Sequence, residues 1–219
     1  MTSNSNKSSY HIVVLGANGG IGKHTVLKAL AEGYHVTAIL RTPSKLDISH
    51  PNLTIVQGDV MQSGSLAQHL ENKDAVISAI GKNSLKTTTL YSQGNKNLLQ
   101  AMHETGINRA FFISAAGLEV NPTHSLLVKF ATRFILQPLL RNMYADLRVM
   151  EKIVRESGID WTIIRPPQLT DSPETGKYRT AIDGPLRKGL KISRADVAHF
   201  MVNNLMNKSI FRATVEVGY

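Results

Sequence analysis

Three glycines follow the first apolar run of the chain at intervals of three residues. The run is His11–Leu15, and the glycines are Gly16, Gly19 and Gly22. A glycine at the first position permits a tight turn, one at the second removes side-chain bulk, and one at the third lets a helix pack closely. The free N–H groups and the dipole of that helix would attract negative charge. The spacing therefore predicts a turn that binds a pyrophosphate group.

The context of the turn favours a dinucleotide site. Apolar residues recur at helical spacing over 21–31, so the turn joins a strand to a helix, as in a dinucleotide-binding fingerprint. The phosphate-binding loop of ATPases and kinases is excluded, because His24 follows Lys23 where that loop has serine or threonine. A turn with a purely structural role remains the alternative. The contacts expected from this turn are Gly16, Asn18, Gly19, Gly20, Ile21 and Gly22.

The end of the second predicted strand, at 35–40, indicates which dinucleotide is bound. NAD-selective proteins place an acidic residue here to bind the ribose hydroxyls, but this chain has Arg41. An arginine can bind a 2′-phosphate through two hydrogen bonds. Thr42 and Ser44 add hydroxyl donors, and Lys45 adds positive charge. We therefore expect NADP(H) as the cofactor; the alternative is that Arg41 only solvates a loop.

A second polar position follows the third predicted strand, at 53–56. There Asp59 could accept a hydrogen bond from the adenine amino group while Val60 packs on the ring. Asp59 could equally cap a short helix that follows it. The sequence leaves both interpretations open.

The composition limits the class of protein. The 219 residues, 42% of them hydrophobic, suit a globular α/β chain. The absence of cysteine excludes disulfides, thiolate catalysis and cysteine-ligated zinc, and the histidines show no paired spacing, so no metal site is expected. Residues 1–9 are polar and predict a disordered tail rather than a signal peptide. Since no run approaches the length of a bilayer span, we expect a cytoplasmic protein without a membrane partner.

The formal net charge of +9 has three interpretations: steering of an anionic ligand, contact with nucleic acid, or solvated surface. The basic residues are scattered and no nucleic-acid-binding motif is present, so no nucleic-acid partner is expected. Lys129, Arg133 and Arg141 recur within a helical region predicted over 125–156. They could bind an anionic substrate tail or belong to a lid; alternatively they form the solvated face of an amphipathic helix.

Short apolar runs alternate with amphipathic stretches over residues 10–219. The predicted strands are 11–15, 35–40, 53–56, 75–80, 110–113, 161–164 and 214–217, and the predicted helices are 21–31, 65–70, 90–104, 125–156 with a break near Pro138, and 196–206. Apolar strands separated by helices form a parallel sheet covered on both faces. We therefore predict a single Rossmann-type, doubly wound, three-layer α/β/α domain with a small C-terminal segment on the substrate side, as a monomer or homodimer. Ligands bind such sheets at the carboxyl ends of the strands.

These features resemble the atypical short-chain dehydrogenase/reductases with an NAD(P)H-binding domain, the group of the flavin reductase/biliverdin-IXβ reductase type and the NmrA-like proteins. The matching segments are the 16–22 turn, Arg41, 58–60, 78–81, 112–117, 151–166 and 193–198. The resemblance covers nearly the whole chain after Ser9. It implies a Rossmann fold and a bound NADP(H), and it leaves the acceptor open, because these proteins differ widely in what they reduce.

The resemblance also implies cofactor contacts beyond the glycine turn. Three strand ends would supply them: Ala79, Ile80 and Gly81; Ser114, Ala115 and Ala116; and Pro166 and Pro167. The first group would line the dinucleotide, the second would lie near the nicotinamide, and the third would form the wall beside it.

Two residues are candidates for catalysis. Ordinary short-chain dehydrogenases use a serine, a tyrosine and a lysine four residues after the tyrosine, and the tyrosine supplies a proton to the carbonyl oxygen. Ser114 stands at the serine position, whereas Tyr144 is followed four residues later by Arg148 rather than by lysine. A nearby cation would lower the pKa of the phenol, but a guanidinium group replaces lysine poorly. Structural packing is the alternative for both candidates.

The missing lysine favours the flavin reductase-like branch of the resemblance, which does not require the tyrosine. The leading prediction is an NADPH-dependent reductase that transfers hydride to a flavin, a quinone or a related small-molecule carbonyl acceptor. The alternative is a non-catalytic NADP(H)-binding redox sensor that reports to a protein partner. Sugar-nucleotide epimerisation is disfavoured, because it usually needs an intact tyrosine–lysine pair and a larger C-terminal lobe.

Overall fold

The computed structural model describes residues 10–82 and 85–219, so the tail predicted at 1–9 lies outside the described residues. The strands are β1 His11–Leu15, β2 His35–Leu40, β3 Leu53–Gln57, β4 Ala75–Ser78, β5 Arg109–Ile113, β6 Asp160–Arg165, β7 Gln168–Thr170, β8 Arg179–Ile182, β9 Lys191–Ser193 and β10 Ala213–Gly218. The main sheet has the order β3-β2-β1-β4-β5-β6-β10-β8, and β7 pairs with β9 separately. Strand pairing in the main sheet is parallel except between β8 and β10.

Helices cover both faces of the sheet. They are α1 Gly20–Ala31, α2 Ala67–Leu70, α3 Leu90–Thr105, α4 Leu126–Ala131, α5 Gln137–Leu139, α6 Arg141–Arg155 and α7 Arg194–Asn203, with a π-helical turn at Thr132–Leu136 between α4 and α5 and 3₁₀ turns at Pro43–Lys45, Ala116–Leu118 and Lys208–Ile210. Helices α1 and α7 pack together, as do α3 and α6. Each pair closes one of two buried apolar clusters. The predicted Rossmann-type three-layer fold is thereby confirmed.

Alternate residues of β1 enter opposite layers of the core. Ile12 and Val14 belong to the cluster under α1 and α7, whereas Val13 and Leu15 belong to the cluster under α3 and α6. All four are fully buried or nearly so. This explains why the strand is an unbroken apolar run, since both of its faces are covered.

The doubly wound order reverses between β1 and β4, which opens a crevice at their carboxyl ends. Leu15 pairs with Ser78 in this register, and the N–H of Ala79 donates to the Leu15 carbonyl at 3.0 Å. The two strands therefore end at the same level, and the residues that follow them, Gly16 and Ala79, are brought side by side.

Among the predicted elements, the long helix at 125–156 agrees least with the structure, which has α4, a π-helical turn, α5 and α6 in this range. Its break falls at Leu140, with φ −101° and ψ 16°, rather than at Pro138. The chain stays helical through the proline, since Leu136 and Gln137 both have right-handed helical φ and ψ. The π-helical turn directly before Pro138 replaces the regular hydrogen-bond ladder where the proline lacks its N–H. Helix α7 begins at Arg194 instead of Asp196, since the Ser193 hydroxyl caps it by accepting from the Asp196 N–H at 2.9 Å.

Candidate dinucleotide and acceptor cleft

A cavity of about 1010 Å³ lies where β1, β4, β5 and β6 end. A smaller cavity of about 410 Å³ adjoins it and shares Gly81 and Lys82 with it. The two cavities therefore form one cleft, with Arg41 at one end and Ser114 in the larger chamber. Predicted residues that line the larger chamber are Gly16, Asn18, Gly19, Gly20, Ile21, Ala79, Ile80, Gly81, Ser114, Ala115, Ala116, Pro166 and Pro167.

The glycine turn is built as a cradle of bare backbone. Gly16 has a φ of +75°, and a Cβ atom there would collide with the Ala79 carbonyl. Gly22 lies beneath the turn, and its Cβ would collide with the Gly16 carbonyl. Gly19 occupies the N-cap of α1 and makes no side-chain hydrogen bond there, so this position leaves the first N–H groups of the helix open to a ligand. This arrangement fits a pyrophosphate group, which such helix N-termini bind.

Arg194 places a positive charge at this turn, and sequence reasoning missed it. A Cβ atom on Gly20 would come within 2.6 Å of the Arg194 Nε, so the arginine lies directly over the glycine. Its Nη1 donates to Asp171 Oδ1 at 2.7 Å, and the Asp171 side chain is 87% exposed. No sequence signal links Arg194 to Gly20, because packing of α7 on α1 creates the contact.

Arg41 lies at the rim of the smaller cavity together with Lys82, which the sequence analysis did not single out. The Arg41 backbone carbonyl accepts a hydrogen bond from Gln57 Nε2 at 3.3 Å. Its side chain is exposed, and no carboxylate pairs with it among the described residues. Two cations therefore flank the end of the cleft at which a 2′-phosphate is expected.

Five predicted contacts lie outside both cavities: Gly22, which lies beneath the turn, and Thr42, Lys45, Asp59 and Val60. The Thr42 carbonyl accepts from the Lys45 N–H at 3.1 Å. Asp59 Oδ1 accepts from the Met61 N–H at 3.0 Å. This local bond closes a turn well before α2, so Asp59 does not cap that helix directly. The roles of all five residues in cofactor binding stay predictions.

Ser114 is tied to a buried ion pair behind the cavity. Its hydroxyl donates to Glu151 Oε1 at 2.6 Å, and Arg165 donates to both Glu151 oxygens, at 2.8 and 2.7 Å. Burial alone would raise the pKa of Glu151, but the bonds and charge of Arg165, with Ser114 and Arg155, outweigh it and lower the pKa. Because Glu151 is a charged acceptor, the Ser114 hydroxyl directs its proton to Glu151 and not to a ligand in the cavity.

Tyr144 lines the cavity, but it is not activated as expected. Its hydroxyl packs against Gly117, where a Cβ atom would collide with it. Burial raises the pKa of Tyr144, and the charge of Arg148 offsets this only in part. Arg148 Nη2 instead donates to the Leu118 carbonyl at 2.9 Å. The expectation of a lowered phenol pKa is therefore wrong, because burial outweighs the cation.

His124 adds a polar group to the same chamber. Its Nε2 is buried and has no hydrogen-bond partner among the residues the structure describes. Burial lowers the pKa of His124, and the nearby charge of Lys129 lowers it further. The imidazole is therefore neutral at pH 7. A buried ring nitrogen without a partner is a group that a bound acceptor could satisfy.

One wall of the chamber is contributed by the α4–α5 region. Val128, Thr132, Leu136 and Leu140, spaced four residues apart, line it. The basic residues of this region, Lys129, Arg133 and Arg141, are absent from the lining. The idea that they bind an anionic substrate tail is thus unsupported, and the wall is mainly apolar.

Residues 10–82 and 85–219 contain neither a candidate metal site nor a helix that could span a membrane. No group of three or more histidine, aspartate or glutamate side chains is placed to hold a metal ion there. Within the same ranges, no helix has the length and apolar character needed to cross a membrane.

The fold and its cleft define a Rossmann-type dinucleotide-binding protein. The model of the NAD(P)H-binding family matches residues 16–208, and the chain belongs to that family. This confirms the resemblance predicted from the sequence. The chain is 30% identical over 222 residues to a chloroplastic protein of Arabidopsis thaliana of uncharacterised function, covering 94% of this chain and 75% of that one.

Solved structures share the fold. A wide-type short-chain dehydrogenase/reductase from Veillonella parvula, in complex with NADP, has a TM-score of 0.74 at 22% identity and covers 96% of this chain and 94% of its own. A putative NADH-flavin reductase from Streptococcus pneumoniae has a TM-score of 0.77 at 23% identity, covering 95% and 99% respectively. At these identities the likeness establishes the architecture.

Proposed function

We propose that the protein is an NADPH-dependent oxidoreductase that reduces a flavin, a quinone or a related carbonyl acceptor. The observation that carries this proposal is the single cleft that joins a bare phosphate-binding turn to a mainly apolar chamber. Such a chamber has room for the reacting end of a dinucleotide and a flat acceptor together. The flavin reductase-like neighbour has the same fold, which supports this choice of acceptor.

The chain offers separate groups to the two anionic parts of the cofactor. The N–H groups of the glycine turn and the guanidinium of Arg194 would hold the pyrophosphate. Arg41 and Lys82 would hold a 2′-phosphate at the far end of the cleft, which supports NADP(H) over NAD(H). The NADP complex of the Veillonella neighbour is consistent with this choice. When bound, the reduced cofactor would supply a hydride.

At the acceptor end the chain would orient and desolvate the reactants. Val128, Leu136 and Leu140 exclude water from one side of the chamber. Tyr144, with its raised pKa, stays a neutral phenol and offers an O–H donor to an acceptor oxygen. His124 offers its unpartnered Nε2. We assign these two side chains to binding the polar edge of the acceptor.

A flat, electron-poor acceptor suits the side chains of this chamber, because such an acceptor can take its proton from water. An ordinary ketone would need a positioned acid. Ser114 cannot donate while its proton is held by Glu151 at 2.6 Å, and burial, which raises the pKa of Tyr144, makes that phenol a poorer acid. The protein would then contribute proximity and water exclusion rather than proton transfer. The predicted cytoplasmic location and the monomeric or dimeric state carry no further support here and stay predictions.

The test is the oxidation of NADPH in the presence of FMN, FAD, menadione and a set of simple ketones. We expect turnover with at least one flavin or quinone and faster oxidation of NADPH than of NADH. Tight NADPH binding without turnover of any acceptor would overturn the reductase assignment and leave the redox sensor.

A pair of variants controls for cofactor-independent oxidation. Gly20→Asp places a carboxylate at the turn, where only the flexible Arg194 side chain must move, so it should abolish turnover. Gly184→Asp introduces the same charge at a roomy position outside both cavities and should retain it. Equal rates for the two variants would mean that the turn does not hold the cofactor.

A further inference from the structure

The outer face of residues 126–139 exposes six large apolar side chains. Their exposed fractions are 82% for Leu126, 77% for Leu127, 58% for Phe130, 60% for Phe134, 62% for Ile135 and 56% for Leu139. The Phe130 and Phe134 ring centroids are 4.7 Å apart, so the side chains form a contiguous set. We call these six residues the apolar ridge. A patch of this kind marks an interaction surface.

Only positive charge accompanies the apolar ridge. Lys129, Arg133 and Arg141 lie in or directly after the same segment, and the sequence has no aspartate or glutamate between Glu119 and Asp146. In the part of the chain that the structure describes, none of these three cations forms an ion pair with a carboxylate. The surface that covers the ridge should therefore combine apolar material with negative charge.

A second copy of this chain fits these charges poorly. A symmetric dimer contact uses the same patch on both copies, so both sides would carry Lys129 and Arg133 and neither side would offer a carboxylate from this segment. The whole chain carries a net charge of +9, which adds to the repulsion. A helical rod with leucine and phenylalanine outward and lysine and arginine beside them instead suits the boundary between acyl chains and anionic headgroups.

The opposite face of the same segment leads to the cleft. Val128, Thr132 and Leu136 line the large chamber, while Phe130 and Phe134 face outward. The two faces are separated by one helix, which includes the π-helical turn at Thr132–Leu136. The wall between the chamber and the outside is therefore apolar on both sides.

We propose that the apolar ridge binds the surface of a bilayer that contains anionic lipid. This replaces the expectation of no membrane partner, which considered only segments long enough to cross a bilayer. The helix lies in the interface without crossing it, and Lys129, Arg133 and Arg141 contact lipid phosphates. One consequence rests on the proposed function: the acceptor chamber then lies beside the lipid phase, from which a lipophilic quinone can enter.

The experiment is sedimentation of the full chain with vesicles of phosphatidylcholine, with and without phosphatidylglycerol. We expect binding to the anionic vesicles that weakens as salt is added, since exposed charges are screened over about 8 Å at physiological ionic strength. Leu126→Glu combined with Phe134→Glu should reduce that binding by about tenfold or more. Lys129→Gln and Arg133→Gln should each reduce it roughly fivefold.

Met206→Glu is the matched control. Met206 is 48% exposed. It follows Leu205, whose carbonyl accepts a hydrogen bond from Arg109 at the start of β5. Met206 therefore lies near the amino ends of the strands, whereas the cleft lies at their carboxyl ends. This variant should bind vesicles as the wild type does. Circular dichroism and NADPH binding check that each variant is folded, and neither readout depends on lipid.

Three results would overturn the proposal. The first is a wild-type chain that fails to sediment with anionic vesicles. The second is undiminished binding by the doubly substituted ridge variant. The third is a wild-type dimer in sedimentation velocity that the ridge variant converts to a monomer, because the ridge would then be covered by a second copy. A doubly substituted ridge variant that no longer binds vesicles but still oxidises NADPH in detergent would separate this proposal from the proposed function.

Discussion

The Ser114 hydroxyl and the Glu151 carboxylate are joined by a 2.6 Å hydrogen bond between the end of β5 and helix α6. Ser114 lines the chamber, whereas the Glu151 side chain is 3% exposed and paired with Arg165. A wall of the cleft is thus anchored to a buried ion pair. Ser114 enters the chamber as a hydrogen-bond acceptor, because its own proton points to Glu151.

Glu151→Gln should destabilise the fold by about 3 kcal/mol, the lower end of the range for breaking a buried ion pair, because Arg165 loses its buried partner but keeps an ion pair with the exposed Glu119 at 2.9 Å. Arg165 is the partner that remains, with a side chain only 10% exposed. Urea unfolding measures the change. Glu156→Gln, at the C-cap of the same helix, is the control: its side chain is 65% exposed and its carboxylate is 3.9 Å from the Lys152 ammonium, so its effect should stay below about 1 kcal/mol. Similar losses for both variants would refute the role of Glu151.

Asp196 should make the fold sensitive to acid. Burial alone would raise its pKa, but hydrogen bonds from Tyr219, Thr175 and Gly176 lower it to about 2. Because the folded pKa lies below the unfolded one, the stabilisation is present above about pH 4 and is lost as the pH falls towards 2. Asp196→Asn should cost about 2 kcal/mol at neutral pH and little at pH 2.

Thermal unfolding of this variant and the wild type from pH 7 to pH 2 measures the Asp196 effect. Asp47→Asn, at an exposed position, serves as the control and should follow the wild-type curve. A stability difference for Asp196→Asn that is constant with pH would contradict the assignment.

Arg41→Ala should weaken NADPH binding by about 1 to 3 kcal/mol, the scale for losing hydrogen bonds to a charged group. It should leave NADH binding nearly unchanged, because NADH has no 2′-phosphate. Fluorescence titration with both cofactors measures the difference. Arg187→Ala removes an exposed arginine outside both cavities and should alter neither affinity. Equal losses for NADPH and NADH in Arg41→Ala would place Arg41 elsewhere than at the 2′-phosphate.

Tyr144→Phe should lower kcat by less than about tenfold, because the phenol, with its raised pKa, binds the acceptor without donating its proton. The pH dependence of kcat should be unchanged. Loss of a general acid would instead cost about 10² to 10⁴ in rate. Steady-state kinetics with a flavin between pH 6 and pH 9 distinguishes the two outcomes. Tyr178→Phe, outside both cavities, controls for loss of a phenol.

The sequence predicted those features that depend on neighbouring residues. The glycine turn was recognisable from its regular spacing, and Gly22 shows a local reason for it: a Cβ atom there would collide with the Gly16 carbonyl within the same turn. The central strands were recognisable because burial on both faces demands apolar runs, as in β1. Together these two signals located the carboxyl ends of the strands, and hence most of the cleft lining.

Features that depend on distant segments were not predictable in this way. Arg194 reaches Gly20 because α7 packs on α1, and His124 is buried in the chamber by elements far from it in the chain. The pKa of Tyr144 depends on the balance between burial, which raises it, and the charge of Arg148, which lowers it. The sequence spacing of Tyr144 and Arg148 indicated only the effect of the charge. Burial of a side chain is a property of the assembled layers.

Binding of a reduced dinucleotide on the glycine turn is tested most directly by titration calorimetry with NADPH and NADH, using the wild type and Arg194→Met. We expect one NADPH per chain, and an Arg194→Met variant that binds NADPH and NADH more weakly by a similar factor of about 10 to 100, because both cofactors share the pyrophosphate. Folded wild-type protein that takes up neither nucleotide would contradict the central claim.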